Sequence, residues 1–211
     1  PERFLKCTAD KKVETKPIKG TRPRCNDPVK NQQALDDLAN SEKEHAENSM
    51  IVDLLRNDLS RVCADYSVHV TELCAIESFA TVHHLVSTIT GELRADKTAL
   101  DLLKNAFPGG SITGAPKIRA MEIIEELEDK KRGVYCGSLG YIDFSGHIDT
   151  NIVIRTLVYQ NNSVSLSVGG GLVADSVPDA EYQETLDKAA AIFDSFDKVT
   201  DAPLHNRKEA A

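Results

Sequence analysis

The sequence lacks the features that mark several classes of protein. No apolar run among its 211 residues is long enough to cross a membrane, and the mean hydropathy is -0.31. Its five cysteines form no C-x-x-C pair, so neither a zinc knuckle nor a disulfide framework is indicated. No signal peptide, internal repeat or low-complexity tract is visible. Unpaired cysteines fit a reducing compartment, and we predict a cytoplasmic location.

Positive charge is also scarce. Acidic residues outnumber basic ones by 33 to 25, and the formal net charge of -8 argues against a protein that binds the phosphate backbone of nucleic acids. The 41% of hydrophobic residues suffice to bury the core of one domain, or at most two. The chain opens on Pro1-Glu2-Arg3 without a methionine, and we expect it to be a piece of a longer protein.

The spacing of apolar residues and turn formers predicts an α/β chain with mostly antiparallel strands. Asp27 followed by Pro28 is a good helix start, because the carboxylate can cap and proline suits the first helical position. A break in the long helical pattern is expected near Ser41. The first half is predicted to contain a hairpin (3–7 with 13–15), a short loop (17–24), a helical region (28–63) and three strand-like segments (67–70, 73–76 and 82–89).

The second half predicts two helices around a glycine-rich loop, an antiparallel meander and a closing helix. Ile118 and Leu127 bound the apolar set of the helix after the loop. We expect one domain over residues 1–200 and a polar tail over 201–211. The other predicted elements are a helix at 95–106, the loop at 107–117, strands at 137–144, 150–159 and 163–168, and a helix at about 178–196.

Two E-x-x-E pairs are candidate metal ligands. Glu44 and Glu47 lie one helical turn apart, so their carboxylates project from the same side of the helix. Glu181 and Glu184 repeat this spacing at the start of the closing helix, and Lys188 follows one turn later. Four carboxylates from two helices could hold a magnesium ion, which prefers oxygen ligands. The alternative is that both pairs are solvated surface.

Two glycine-rich segments indicate a pocket for a small carboxylate. The segments 109–114 and 169–171 both permit close approach of the backbone to an anion, but neither matches a Walker A or dinucleotide fingerprint. Arg155, predicted inside a strand, could bind a carboxylate through two hydrogen bonds. Tight turns are the alternative explanation of both glycine segments.

Lys19 and His84 are candidate reactive groups. Lys19 lies between Pro17 and Gly20, and burial there would lower the lysine pKa and favour a role as nucleophile or base. An ordinary exposed lysine is the alternative. His84 lies in an apolar run, where either a catalytic histidine or a hydrogen-bonded core histidine would fit.

Taken together, the motifs resemble those of the chorismate-utilising enzymes. The segment P-I-K-G-T-R-P-R at 17–24 is similar to the P-I-x-G-T-x-P-R signature of that family. The similarity extends in family order from Glu2 to about Phe196. The other matching segments are 46–58, 82–87, 107–117 and 169–184.

The resemblance implies both a fold and an activity. The family fold is a large α/β assembly of two packed antiparallel sheets with outer helices, of which this chain would hold the C-terminal share, as a truncated chorismate-binding domain. Lys19 at the variable position of P-I-x-G-T resembles the aminodeoxychorismate synthase branch, whereas anthranilate synthases carry alanine there. That branch aminates chorismate at C4 to 4-amino-4-deoxychorismate, for folate and 4-aminobenzoate biosynthesis. Its ammonia comes from a glutamine amidotransferase subunit or fused domain.

The resemblance also implies roles for individual residues. Lys19 matches the nucleophile, Glu2 the general acid/base for the departing hydroxyl, and His84 the histidine near the ring. Glu47 and Glu184 match the principal ligands of Mg²⁺, and Glu44 and Glu181 the supporting carboxylates. Residues at positions that contact the substrate are Thr21, Ser111, Tyr135, Arg155, Gly170, Gly171 and Lys188. Anthranilate synthase component I and a non-catalytic chorismate-binding fragment are the alternative interpretations.

Overall fold

The computed structural model describes residues 2–174 and 176–200, with side chains as far as residue 196. The chain divides into two compact units, of which the first ends at Val153 and the second begins at Ile154. All strand pairings of the described residues are antiparallel, which confirms the predicted α/β class with antiparallel sheets. The tail predicted for residues 201–211 lies outside the described residues.

Over its described residues 2–153, the first unit contains a seven-stranded sheet and four α-helices. Its strands are β1 Glu2–Cys7, β2 Lys12–Lys16, β3 Ile18–Pro23, β4 His69–Ser78, β5 Val82–Glu92, β6 Ser138–Ile142 and β7 Ile148–Ile152. Its helices are α1 Pro28–Ala39, α2 Glu42–Ser60, α3 Ala99–Ala106 and α4 Lys117–Leu127.

Strand β5 organises this sheet. One edge of β5 pairs with β4, and the other pairs with β3 near its start and β2 near its end. Beyond β2 the order continues through β1 and β7 to β6. Because β5 is paired on both edges, its residues are almost continuously buried, and α2 contributes Ile51 and Leu59 to the same core.

The helix boundaries follow capping chemistry. The Asp27 carboxylate accepts hydrogen bonds from the backbone of Val29 and Lys30, as predicted. Ser41 caps α2, and this cap is the predicted break in the helical region. Helix α3 begins later than predicted, because Thr98 and Asp101 form a reciprocal capping box that fixes its start.

Three predictions about strands were wrong. The predicted loop at 17–24 is strand β3, since pairing with β5 satisfies its backbone. The two segments predicted at 67–70 and 73–76 are one strand, β4, whose pairing with β5 shifts register twice. The strand predicted over 150–159 ends at Ile152, and the meander is instead two separate hairpins.

The second unit contains a hairpin and a long helix. Its elements are β8 Leu157–Gln160, β9 Ser163–Leu166 and α5 Pro178–Thr200. Asn161 and Asn162 turn the hairpin with φ angles of 52° and 57°, the left-handed conformation that tight hairpin turns require. The predicted start of α5 near Pro178 is confirmed, and its end lies beyond the predicted Phe196.

The apolar sides of two helices are largely exposed. In α4, Ile118 is 75% exposed and Leu127 is 76% exposed, although the helix itself is confirmed. In α5, Tyr182 and Phe193 are exposed whereas Glu181 and Ala189 are buried. No helix of the described ranges has the length and apolar character needed to cross a membrane.

Candidate active site

Four predicted or motif residues of the first unit converge on one place. Glu2 opens β1, Lys19 lies on β3, Glu47 lies on α2, and Ser111 lies in the turn between α3 and α4. The Lys19 ammonium is 3.7 Å from a Glu47 carboxylate oxygen, and it also acts electrostatically on Glu2. The structure thus brings the predicted nucleophile and the predicted general acid together.

Burial makes Glu2 an unusual carboxylic acid. Its side chain is 8% exposed, and desolvation raises its pKa from 4.5 to about 7. A hydrogen bond from Ser111 opposes this rise, as does the charge of Lys19. A carboxyl group with a pKa near 7 can hold a proton at neutral pH and donate it to a leaving group.

A bulge at Gly20 determines which residues of β5 lie opposite its two neighbours on β3. The pairing of β3 with β5 slips there, so Lys19 lies opposite Leu85 while Thr21 lies opposite His84. Gly20 has a φ angle of 81°, and a Cβ at this position would lie 2.8 Å from a Leu38 methyl group. A side chain at position 20 would therefore strain the bulge and crowd the Leu38 side chain of α1.

Thr21 and His84 form a second pair of predicted residues. The Thr21 hydroxyl and His84 Nδ1 are 2.8 Å apart, and the Phe79 ring lies 5.5 Å from the imidazole. The neighbouring His83 is the core histidine of this run, since it is 2% exposed and bonds to Ser78 and Asn31. His84 itself is only half-buried.

The α2 carboxylates lie among positive charges. Glu44 and Glu47 are both partly buried on the face of α2 that also carries Ile51. Arg22 lies 3.6 Å from Glu44, and Lys19 accompanies Glu47. The cations reduce the electrostatic cost of placing two carboxylates at the edge of the core.

The predicted residues of the second unit cluster around the 169–171 segment. The Lys188 ammonium bonds to Glu184 at 2.6 Å and to the Gly169 carbonyl at 3.2 Å. A Cβ on Gly170 would lie 3.2 Å from a carboxylate oxygen of Glu181, so a side chain at this position would crowd that group. The Glu181 carboxylate also accepts a hydrogen bond from Ser176. Gly171 is exposed.

Arg155 and Tyr135 occupy less regular backbone. The prediction that Arg155 lies inside a strand was wrong: it is exposed between β7 and β8, with a φ angle of 50°. Such a conformation breaks strand pairing, which explains the break in the predicted 150–159 strand. Tyr135 is half-buried beneath the Arg132 guanidinium, and desolvation raises its pKa to about 12.

Two buried polar pairs accompany the site, and none of their four residues was predicted individually as a candidate. Asn48, fully buried, accepts a 2.5 Å hydrogen bond from Ser87. Asp58 accepts a 2.5 Å hydrogen bond from Lys117, with both side chains largely buried. Asn48, Ser87 and Lys117 fall within the family motifs, but a single sequence does not indicate which polar residues will be buried together.

Asn48 should matter for stability more than for chemistry. Asn48→Ala would leave the Ser87 hydroxyl and the Leu85 carbonyl without their present partner in a buried place. We expect the free energy of unfolding to fall by about 2 kcal/mol, measured by urea denaturation. Asn57→Ala, an exposed position on the same helix, is the control and should change stability little. Equal stabilities of the two variants would contradict the assigned role.

The carboxylate pairs have the right chemistry for magnesium. Within each unit taken alone, the described residues contain no group of three or more His, Cys, Asp or Glu side chains placed to hold a metal ion. Helix α2 carries the pair Glu44 and Glu47, and helix α5 carries the pair Glu181 and Glu184. Carboxylate oxygens are donors of the kind that Mg²⁺ prefers.

Comparison with known proteins identifies the class. A family model described as chorismate binding enzyme matches residues 1–194. The chain belongs to this family of chorismate-binding enzymes. It is 55% identical over 198 residues to aminodeoxychorismate synthase component 1 of Escherichia coli K12, and 48% identical over 186 residues to anthranilate synthase component 1 of Aquifex aeolicus.

The solved structures agree with the family assignment. The structure of anthranilate synthase component I from Streptococcus pneumoniae superposes with a TM-score of 0.80 at 42% identity, over 90% of this chain and 41% of that one. The matches to the Escherichia coli and Aquifex proteins cover 94% and 88% of this chain. The chain spans 44% and 38% of the length of those two relatives.

Proposed function

We propose that the protein aminates chorismate at C4, giving 4-amino-4-deoxychorismate and water. The observation that carries the proposal is the convergence of Lys19 and Glu2, a nucleophile and a proton donor, in one partly desolvated site. Similarity to aminodeoxychorismate synthase component 1 of Escherichia coli supports this branch over the anthranilate branch. Lys19 at the variable position of P-I-x-G-T supports the same choice.

The proposed reaction proceeds in two displacements. The Lys19 ammonium first gives up a proton; its amine attacks C2 of chorismate, the ring double bond shifts, and the C4 hydroxyl leaves as water with the proton of Glu2. Ammonia then adds at C4, the double bond returns as the C2–N bond to Lys19 breaks, and the new C4 ammonium group returns a proton to Glu2. A covalent intermediate divides one difficult displacement into two easier ones, and a proton from Glu2 converts hydroxide into a better leaving group.

Partner, cofactor and location follow from the same proposal. The words "component 1" in the relative's name support a second component, and we propose a glutamine amidotransferase subunit or domain as the ammonia source. All five cysteines are free thiols, which supports a cytoplasmic location. Magnesium would neutralise a substrate carboxylate, with Glu44, Glu47, Glu181 and Glu184 as its proposed ligands.

The product distinguishes the proposed reaction from its alternative. The complete protein is incubated with chorismate and ammonium, and products are separated by mass spectrometry. We expect 4-amino-4-deoxychorismate, which keeps the enolpyruvyl group, and no release of pyruvate. Anthranilate together with an equal amount of pyruvate would instead assign the protein to the anthranilate branch. Binding of chorismate with no product of either kind would favour a non-catalytic role.

Magnesium binding can be tested without turnover. Glu47→Gln removes one charged ligand, so calorimetric titration of the complete protein with magnesium chloride should show affinity weakened by more than about tenfold. Glu42→Gln, an exposed position in the same helix, is the matched control and should bind magnesium as the parent does. Unchanged affinity in Glu47→Gln would remove this residue from the ligand set.

A further inference from the structure

We propose that Lys117 and Asp58 are positioning residues for the general acid: by fixing the 107–117 segment, this pair holds the Ser111 hydroxyl against Glu2. The inference rests on the proposed function only for the role of Glu2 as proton donor. The placement of the segment is argued from contacts of the first unit alone.

The Lys117 ammonium connects the two ends of the 107–117 segment. It donates one hydrogen bond to Asp58 at 2.5 Å and another to the Ala106 carbonyl at 3.0 Å. Ala106 ends α3 and Lys117 begins α4, so one side chain bridges the two ends of the intervening segment and ties them to α2. The side chains of Asp58 and Lys117 are 4% and 15% exposed, and water competes little for these bonds.

Two glycines bring the middle of the segment onto the core. A Cβ at Gly110 would lie 2.6 Å from a Leu54 methyl group, and Leu54 is one turn before Asp58 on α2. A Cβ at Gly109 would lie 2.8 Å from Ile152 and 3.4 Å from the Phe4 ring. The backbone therefore approaches both α2 and β1 at the residues that precede Ser111.

Ser111 transmits this placement to Glu2. Its hydrogen bond stabilises the charged carboxylate, as does the charge of Lys19, while burial destabilises it. The Lys117 ammonium bonds to Asp58 and to the Ala106 carbonyl, so the pair acts on Ser111 through the backbone that it anchors. Burial also raises the pKa of Asp58, and the Lys117 ammonium opposes this rise.

The variant Lys117→Met tests the assignment in the complete protein. Loss of the anchor should free Ser111 and raise the pKa of Glu2 by about one unit, the equivalent of one hydrogen bond. Carbon-13 NMR of labelled glutamate carboxyls reads this titration without substrate. The alkaline limb of the kcat profile should move upward by the same amount, with kcat reduced and the KM for chorismate little changed. Lys117→Arg, which can still bond to Asp58, should restore part of the parental behaviour.

A double-mutant cycle separates positioning from general damage. Ser111→Ala should shift the Glu2 titration as Lys117→Met does, and the two changes together should shift it no further. Lys11→Met is the matched control, because the Lys11 ammonium bonds to the carbonyls of Arg94, Ala95 and Lys97 in a segment outside the site. It should alter stability but not the Glu2 titration.

Each outcome decides the inference. An unmoved Glu2 titration in Lys117→Met, or shifts that add in the double variant, would overturn it whatever the activity. A moved titration in a protein that makes no aminodeoxychorismate would support the positioning pair and count against the proposed function. If Lys117→Met does not fold, Asp58→Asn serves in the same titration, with a smaller shift in the same direction expected, and no shift there would overturn the inference.

Discussion

On the proposed function, Lys19→Ala in the complete protein is expected to lower glutamine-dependent formation of aminodeoxychorismate by orders of magnitude while the fold stays nearly unchanged. The Lys19 side chain is partly exposed beside Glu47, so its removal leaves no large cavity in the core. Loss of the covalent route should therefore appear in kcat rather than in stability. Steady-state kinetics and a thermal melt of the same preparation measure both effects.

Two further measurements sharpen the test of Lys19. High concentrations of ammonium should rescue part of the activity, because ammonia can attack the ring in the space vacated by the side chain. A chorismate analogue with a good leaving group should add its mass to the peptide that contains Lys19. Lys16→Ala, which removes a similarly buried lysine paired with Glu77, should keep parental turnover. Normal turnover by Lys19→Ala at low ammonia would exclude the lysine as nucleophile.

Glu2→Gln is expected to reduce amination by about 10²–10⁴-fold, the usual contribution of a positioned general acid. The parent should lose activity above about pH 7, since the pKa of Glu2 is raised to about 7 and the deprotonated form cannot donate. The variant should lack this limb because glutamine does not titrate. A pH profile of kcat in both proteins makes the comparison. The same limb in the variant would assign it to another group.

The same substitution should stabilise the protein at alkaline pH. The pKa of Glu2 is higher in the folded chain, about 7, than its ordinary value of 4.5, so the folded state holds the proton more tightly. The stability that this proton contributes is present below pH 4.5 and is lost as the pH rises through 7. Glutamine avoids this loss, about 3 kcal/mol above pH 8. Between pH 5 and pH 8 the melting temperature of the parent should therefore fall relative to that of Glu2→Gln, whereas the exposed control Glu125→Gln should follow the parent at both pH values.

Local chemistry accounts for what the sequence predicted correctly. The Asp27 cap, the break near Ser41 and the first hairpin are found as expected, and each depends on a few adjacent residues. Adjacent residues suffice for caps and turns because their hydrogen bonds close within the motif itself.

Contacts between distant segments account for the errors. Strand β3 was mistaken for a loop because its partner β5 lies about sixty residues away in sequence, and Gly20 indicated a turn rather than a bulge. The ion pair of Asp58 with Lys117 spans 59 positions and has no local signature. The exposed faces of α4 and α5 show the same limit, since spacing predicts an apolar side but not what covers it.

The pairing of β1 with β7 has a consequence for synthesis of the protein. Leu5 is bonded to Thr150 across 145 positions, and β1 lies inside the sheet rather than at its edge. On the ribosome, the hairpin of β1 and β2 therefore emerges with both edges open. Strand β5 covers the edge of β2, and the edge of β1 stays open until β7 is made. At roughly 5–20 residues per second this delay lasts for many seconds. During that interval the nascent chain presents Glu2 and its strand to chaperones and to other chains, so this edge is where premature association of the nascent protein should begin.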